Sequence, residues 1–325
     1  MTIVTGGAGF IGSCIVRMLN DRGIGDILVV DHIASTDKWM NLCGKEYVEY
    51  VNRDEFPARL EKLSGRVERV IHMGACSATT ERDFDFLYRN NFGYTKLLWK
   101  FCAQEGIPFI YASSAATYGD GLQGFDDRDD IRRLRPLNAY GYSKQLFDLW
   151  AQDELAAGRP APSQHVGFKF FNVYGPNEYF KGSMASVVMH TFNDVTATGE
   201  KGLFRSYRPE YPDGGQLRDF IYVKDICKVV SFMIDHPEVS GLFNLGTGRA
   251  RSFLDLATAT FRAMGREPNI KFIDMPEAIR DKYQYYTQAS MDKLWAAGYA
   301  EPFYTLEEGV TDYVTEYLAK GRRCW

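Results

Sequence analysis

The sequence lacks most of the features that mark secreted, metal-binding or nucleic-acid-binding proteins. Its six cysteines lie far apart without a CxxC pair, which excludes a disulfide-dense secreted domain and indicates reduced thiols. Its five histidines form no HExxH or comparable ligand pattern, so no metal site is predicted. A net charge of −4 argues against a nucleic-acid partner, because such proteins usually carry a basic stripe.

Long apolar runs are also missing. No stretch approaches the ~20 residues that a membrane-spanning helix needs, and residues 1–12 lack the basic and apolar regions of a signal peptide. We therefore expect a cytoplasmic protein without a membrane partner. The 325 residues, 45% of them apolar, suffice for one large or two moderate globular domains.

Short apolar runs alternate with helix-like segments through the first half of the chain. This alternation predicts βαβ units and hence an α/β, Rossmann-type doubly wound parallel sheet. Helix-like segments at 13–23 and 91–106 each end on glycine, as helices often do. The predicted strands are residues 2–5, 27–31, 47–51, 69–74, 108–113 and 165–171.

After about residue 171 the pattern is less regular. Turn signals fill 172–217, and a helix-like and a strand-like segment then return at 223–247. Amphipathic helices are predicted near the end of the chain, at 253–265 and 305–319. We expect a dinucleotide-binding Rossmann domain and a smaller α/β substrate-binding lobe that closes over the carboxyl ends of the strands. The Rossmann domain comprises 1–171 plus about 217–248, and the lobe about 172–216 plus 249–325.

The motif TGGAGFIG marks a nucleotide site. Gly6, Gly9 and Gly12 follow the first predicted strand and open the first helix. Glycines let the backbone approach a pyrophosphate, and the helix N-terminus offers free N–H groups. Asp31 closes the second strand, where an acid can hydrogen-bond an adenosine ribose. Together these features predict a dinucleotide cofactor.

The residues leave the choice between NAD and NADP open. Asp31 repels a 2′-phosphate, which favours NAD. Lys38 and Arg53 lie downstream of the second and third strands and outweigh that repulsion if they point inward.

The segment NAYGYSKQLFD offers two tyrosines and one lysine. Residues four apart on a helix share a face and residues two apart do not, so Tyr140 pairs with Lys144 and Tyr142 points elsewhere. A nearby ammonium and a positive nicotinamide both favour the phenolate, which makes Tyr140 a candidate acid/base group. Ser114, at the end of a predicted strand, can hydrogen-bond the reacting oxygen.

The motifs TGGAGFIG, ASSAATYG, YGYSK and RDFIYVKD resemble those of the extended short-chain dehydrogenase/reductase family, whose members act on nucleotide sugars. The set GACSATTE, FNVYGPNEYFKGSMAS, FNLGTGRARSF and YQYYTQA is similar to the ADP-glyceromanno-heptose 6-epimerase family over nearly the whole chain. The resemblance implies inversion of C6 in an ADP-heptose, a step towards the inner core of bacterial lipopolysaccharide and related glycans. It also implies one NADP per subunit and a homo-oligomer, commonly a pentamer.

The implied reaction passes through a transient 6-ketone and uses one cofactor for oxidation and re-reduction. Two acid/base groups on different sides suit it, because the hydroxyl loses and regains its proton in opposite orientations. The resemblance assigns these roles to Tyr140 and Lys181, with Lys144 as the helper. The implied cofactor positions, besides the three glycines, are Phe10, Ile11, Asp31, His32, Lys38, Arg53, Met73, Gly74, Ala75, Cys76, Ser77, Asn90, Tyr140, Lys144, Val173 and Lys181. The implied substrate positions are Asn172, Ser183, His190, Phe204, Arg205, Ser206, Tyr207, Arg218 and Tyr283.

Three cofactor positions depart from the family pattern: His32 stands where Asn is common, Arg53 where Lys is common, and Met73 where close relatives have Glu. Arg53 keeps the charge, so NADP is preferred and NAD remains an alternative. A sugar 4,6-dehydratase is disfavoured, because Ala115 and Ala116 stand where it needs an acid pair. Two alternatives stay open: a UDP-sugar 4-epimerase-like enzyme, which has no need of the lysine, and a dinucleotide sensor without catalysis, which usually lacks the Tyr-Lys pair.

Overall fold

The computed structural model describes residues 1–280 and 283–325, and its twelve described strands form three sheets. The strands are β1 (Thr2–Thr5), β2 (Ile27–Asp31), β3 (Glu49–Asn52), β4 (Arg69–His72), β5 (Phe109–Ser114), β6 (His165–Phe170), β7 (Asn172–Tyr174), β8 (Lys201–Phe204), β9 (Leu217–Tyr222), β10 (Gly241–Leu245), β11 (Ala250–Ser252) and β12 (Ile270–Ile273).

The large sheet has seven parallel strands in the order β10-β6-β5-β4-β1-β2-β3, which confirms the predicted fold class. The chain builds outward from β1 to β3, then returns to the other side of β1 with β4. The order therefore reverses between β1 and β4. In open α/β sheets such a reversal leaves a crevice at the carboxyl ends of the strands, where ligands bind.

The helices of the described chain are named in sequence order. A π-helical segment (Tyr88–Gly93) joins the second to the third, and another (Tyr313–Leu318) extends the last. The α-helices are α1 (Phe10–Asp21), α2 (Phe84–Leu87), α3 (Tyr94–Glu105), α4 (Ala139–Ala156), α5 (Val187–Thr198), α6 (Val223–Asp235), α7 (Phe253–Ala263), α8 (Glu277–Arg280), α9 (Asp292–Ala296) and α10 (Leu306–Asp312).

Alternate residues of the central strands enter two separate hydrophobic clusters, because side chains of a strand point to opposite faces. Val4 packs in a cluster with residues of α1 and α6, whereas its neighbour Ile3 packs with residues of α3 and α4. Ile110 likewise lies in the cluster of Val4, and its neighbour Phe109 lies in the cluster of Ile3. Both faces of the sheet are therefore covered by helices, which explains why its strands read as continuous apolar runs.

The region that the sequence predicted as irregular contains β7, α5 and β8. β7 pairs with β9, and β9 in turn pairs with β11, in a three-stranded sheet separate from the large one. β8 pairs with β12 in a two-stranded sheet. Of the predicted segment 217–248, β10 joins the large sheet and β9 does not. The division of the chain into two domains stays a prediction.

No helix among the described residues is long and apolar enough to cross a membrane. All six cysteines are free thiols. The described residues contain no group of three histidine, cysteine or carboxylate side chains that could hold a metal ion.

Candidate active site

Three glycines form a tight cradle at the crevice between β1 and β4. Gly6 has a φ of +66°, and a Cβ there would lie 2.6 Å from the Gly74 nitrogen. A Cβ at Gly12 would lie 2.1 Å from the Gly6 carbonyl oxygen. At Gly6 both the backbone conformation and the close approach of the chain require glycine, and at Gly12 the close approach alone requires it. The first turn of α1 thus begins directly against the ends of two sheet strands, as a pyrophosphate-binding helix requires.

A cavity of about 370 Å³ lies above this cradle. Residues predicted to bind cofactor or to act in catalysis line most of it, and they come from the ends of β1, β2, β4 and β5 and from α1, α4 and the segment around β7. These residues are Gly6, Gly9, Phe10, Ile11, Gly12, Asp31, Lys38, Met73, Gly74, Ala75, Ser77, Ser114, Tyr140, Lys144, Val173 and Lys181.

A second cavity of about 210 Å³ shares Gly6, Asp31, Lys38, Gly74 and Ala75 with the first. The remaining predicted cofactor residues line it, namely His32, Arg53, Cys76 and Asn90. The shared residues make the two cavities adjoining parts of one crevice. Its glycine turn and its position across the carboxyl ends of β1 and β4 fit a dinucleotide.

The charges around Asp31 are arranged in pairs. Its carboxylate accepts hydrogen bonds from the Ala8 nitrogen at 2.9 Å and from the His32 nitrogen at 2.7 Å, and Lys38 Nζ lies 3.0 Å from it. Arg53 donates to the Asn90 side-chain oxygen at 2.9 Å and also pairs with the exposed Asp54. The negative charge of Asp31 is therefore compensated by Lys38, and the Arg53 guanidinium that lines the second cavity is compensated by the exposed Asp54.

The predicted pair on α4 faces the larger cavity. The Asn138 side chain begins this helix by accepting from the Gly141 nitrogen at 2.8 Å, which sets Tyr140 in the first turn and Lys144 one turn later. Lys144 Nζ donates to the Ala112 carbonyl oxygen of β5 at 2.9 Å. Tyr142 is 45% exposed and stacks on Phe84 outside the cavity, as the helix periodicity predicts.

Burial dominates the titration of this pair. It raises the pKa of Tyr140 above its ordinary value, and the Ser114 side chain opposes this shift. It lowers the pKa of Lys144 to about 8, against the opposing effects of Asp148 and Cys76. In the protein by itself Tyr140 is therefore a neutral phenol, and the predicted phenolate depends on additional positive charge in the cavity.

Lys181 reaches the same cavity from the segment that follows β7. Its Nζ lies 5.2 Å from the centre of the Phe10 ring, at the start of α1. Burial lowers the pKa of Lys181, and the carboxylate of Glu178 opposes this effect. Lys181 is thus not a solvated loop charge, and it lines the cavity that contains Tyr140 and Lys144.

The predicted substrate residues are placed differently. In the part of the chain that the structure describes, none of them lines either cavity. Arg218 lies 5.3 Å from the centre of the Tyr283 ring, and that ring packs edge-on against Phe204. His190 lies near Ser183, with Nε2 3.4 Å from its carbonyl oxygen. Asn172 is exposed beside Val173, and Arg205, Ser206 and Tyr207 follow β8 at its carboxyl end.

Several lining residues were missed by the sequence analysis. Asn177 and Phe180 belong to the same segment as Lys181, so their proximity in sequence to a predicted residue could have identified them as lining residues. Ser113 and Ala112 precede Ser114 on β5, Phe170 ends β6, and Phe171 follows it. The structure adds to the two cavities Thr5, Val30, Asn41, Phe86, Tyr94, Ala112, Ser113, Phe170, Phe171, Asn177 and Phe180.

Comparisons with known proteins agree with this geometry. The model of the NAD dependent epimerase/dehydratase family matches residues 2–246. The ADP-L-glycero-D-manno-heptose-6-epimerase of Nitratidesulfovibrio vulgaris is 55% identical over 322 residues, 98% of each chain.

Solved structures of related enzymes have the same fold. The Helicobacter pylori ADP-L-glycero-D-manno-heptose-6-epimerase superposes with a TM-score of 0.79 at 26% identity, covering 97% of this chain and 95% of that one. The Thermus thermophilus UDP-glucose 4-epimerase, in complex with NAD, gives a TM-score of 0.76 at 25% identity, covering 96% and 97%. The chain therefore belongs to the NAD dependent epimerase/dehydratase family, and within it to the group of ADP-L-glycero-D-manno-heptose-6-epimerases that its motifs resemble.

Proposed function

We propose that this chain is an isomerase that inverts C6 of an ADP-heptose, converting ADP-D-glycero-β-D-manno-heptose to its L-glycero form. The reaction passes through a 6-ketone, with Tyr140 and Lys181 as the two acid/base groups. The observation that carries the proposal is that a half-buried lysine from the β7–α5 segment and the Tyr140–Lys144 pair from α4 line one cavity. The full-length similarity to named 6-epimerases supports the substrate.

Two residues exchange the proton of the C6 hydroxyl, one for each orientation of that hydroxyl. A nicotinamide dinucleotide, when bound across the glycine cradle, supplies reversible hydride transfer at C6. Tyr140 exchanges a proton with the C6 hydroxyl in one epimer, and Lys181 does so in the other. Ser114 at the end of β5 hydrogen-bonds the reacting oxygen, and the Lys144 ammonium, together with the cofactor's positive ring, favours ionisation of the Tyr140 phenol.

The proposed cofactor is NADP, one per subunit. Lys38 compensates the charge of Asp31, and Arg53 lines the same cavity at the end that would receive the adenosine ribose. A 2′-phosphate there meets two cations, of which Lys38 is paired with Asp31 and Arg53 with the exposed Asp54. The Arg53 guanidinium can bind phosphate oxygens bidentately in place of Asp54. NAD remains the alternative.

A paired substitution tests the two-base mechanism. Tyr140→Phe and Lys181→Met should each lower the rate of C6 inversion by on the order of 10²-fold or more, the range that general acid–base groups contribute. Inversion of ADP-heptose is followed by NMR of the product. The matched controls are Tyr142→Phe and Lys62→Met, both exposed, which should keep the wild-type rate. Wild-type turnover by Lys181→Met would remove the lysine from the mechanism and leave it a loop charge.

The cofactor is tested by denaturing the purified protein and identifying the released dinucleotide. Mostly NADP supports the assignment, and mostly NAD refutes it. Arg53→Ala should then weaken NADP binding by at least about tenfold, about 1.4 kcal/mol, and leave NAD binding nearly unchanged. A protein that binds dinucleotide but does not invert the sugar would instead be a sensor.

The remaining parts of the proposal are a homo-oligomer, a pentamer by resemblance, and a cytoplasmic location. The free state of all six thiols is consistent with a reducing compartment.

A further inference from the structure

Glu178 is a buried carboxylate in the loop that carries Lys181. Its side chain is completely buried. Its carboxylate accepts hydrogen bonds from both ends of the loop between β7 and α5. One carboxylate oxygen accepts from the Ser186 nitrogen at 2.6 Å, and the other accepts from the Ser186 hydroxyl at 2.6 Å and from the Gly175 nitrogen at 3.5 Å. The two ends of the loop, Gly175 and Ser186, are thus bound to one side chain.

Lys181 lies in the middle of this closed loop. Its backbone nitrogen donates to the Glu178 carbonyl oxygen at 3.1 Å, and its own carbonyl oxygen accepts from the Met184 nitrogen at 3.0 Å. Ser186 in turn begins α5, because its hydroxyl accepts from the Met189 nitrogen at 3.3 Å. The position of the lysine backbone therefore depends on the turn that Glu178 closes.

The charge of Glu178 also acts on Lys181. A buried carboxylate is costly unless it is hydrogen-bonded or paired, and burial raises the pKa of Glu178. The Ser186 hydrogen bonds and the Lys181 ammonium oppose that shift. The other titratable groups that face Glu178 are the phenols of Tyr179 and Tyr313. The Glu178 carboxylate therefore favours the charged form of Lys181.

We propose that Glu178 is a positioning residue, which closes the Gly175–Ser186 loop and holds the Lys181 ammonium in the cavity. The inference rests on the proposed function, in which Lys181 is an acid/base group. A carboxylate is suited to this place because all three of its partners are hydrogen-bond donors, and an amide oxygen can satisfy only some of them. A small displacement of the ammonium is enough to lower the rate of a proton transfer strongly.

Glu178→Gln, alone and combined with Lys181→Met, tests the proposal in the full-length enzyme. The single variant should lower kcat by at least about tenfold while KM and dinucleotide affinity stay within about threefold. Added to Lys181→Met, it should cause no further loss, because residues acting through one another are not additive. Glu238→Gln, on an exposed side chain, is the matched control and should behave as wild type. Wild-type kcat in Glu178→Gln, or a full additional loss in the double variant, overturns the proposal.

A measurement without substrate separates this inference from the proposed function. Lysines of the intact enzyme are reductively ¹³C-methylated, and the Lys181 signal, assigned with Lys181→Arg, is titrated by NMR. Loss of the facing negative charge should move the Lys181 midpoint to lower pH in Glu178→Gln. An unchanged midpoint overturns the proposal, even where ADP-heptose proves not to be the substrate. If Glu178→Gln fails to fold, Ser186→Ala, which removes one donor to the carboxylate, is measured by the same kcat and KM comparison, and an unchanged kcat again overturns the proposal.

Discussion

At the scale of single residues, Gly12 shows how little space the nucleotide cradle leaves. It lies within α1, where its backbone is helical and any residue could adopt the conformation, but an added Cβ would lie 2.1 Å from the Gly6 carbonyl oxygen. The contact is with backbone rather than with a flexible side chain, so the turn itself must move. Gly93 provides a contrast, because a Cβ there would meet its nearest neighbour, the Tyr88 carbonyl oxygen, at an ordinary 3.6 Å.

We predict that Gly12→Ala weakens dinucleotide binding by at least about tenfold, about 1.4 kcal/mol, because the turn that meets the pyrophosphate is displaced. The Kd is measured by fluorescence titration with NADP. Gly93→Ala is the control: it should keep the wild-type Kd and stabilise the fold by about 0.5–1 kcal/mol, since alanine restricts the unfolded chain. Equal affinities of Gly12→Ala and wild type would contradict the cradle.

At the scale of secondary-structure elements, the end of β4 depends on a neutral histidine. His72 is 1% exposed and lies between two threonines. Thr95 donates its own proton to the Asn91 carbonyl oxygen at 2.5 Å, so its oxygen accepts from His72 Nε2 at 2.9 Å. His72 Nδ1 then accepts from the Thr5 hydroxyl at 2.5 Å. Protonation of Nδ1 would remove this acceptor and would bury a charge.

This arrangement predicts a loss of stability in acid. Burial lowers the pKa of His72 to about 3, with Lys144 acting in the same direction. Between that value and the ordinary ~6.5 of the unfolded chain, the unfolded state binds more protons, so stability falls as pH falls. The contribution between pH 7 and pH 5 is about 2 kcal/mol.

We expect urea unfolding to show this difference for wild type and a shallower pH dependence for His72→Asn. His236→Asn removes an exposed histidine and should keep the wild-type slope. A His72→Asn protein with the same loss between pH 7 and pH 5 would show that other groups cause it.

The elements also show where sequence patterns were sufficient. Five of the six strands before residue 171 were predictable, because each is a short, mainly apolar run that is largely buried. β3, predicted at 47–51 and found at Glu49–Asn52, is only partly buried. α5 was not, since the residues Val187–Thr198 include six β-branched ones, which have low helix propensity. α5 forms because Ser186 caps its N-terminus and because the helix packs on α7. β7 has three residues, too few to show a recognisable alternation of apolar and polar side chains.

At the scale of the whole molecule, one crevice spans both cavities, so one dinucleotide should bind each chain and stabilise it. At a free concentration of 100 times Kd, binding should raise the free energy of unfolding by about 2.7 kcal/mol. Thermal unfolding with and without NADP measures this gain. Gly12→Ala at the same concentration should gain much less, and an equal gain would place the stabilising ligand outside the crevice.

The predicted assembly is also a whole-molecule property. Sedimentation equilibrium should give a mass of about five times the 37.0 kDa chain if the pentamer common in the resembling family holds here. A monomer mass at micromolar concentration would contradict the homo-oligomer.

The sequence by itself determined the α/β class, the glycine turn and the pairing of Tyr140 with Lys144, because these depend on patterns within a few neighbouring residues. Only the tertiary structure decided that Lys181 lines the same cavity, that Lys38 compensates Asp31, and that Glu178 closes the lysine loop. These facts depend on contacts between segments far apart in the chain or on the path of an irregular loop. No local periodicity encodes such contacts, because the free energy that fixes them comes from burial in the folded molecule.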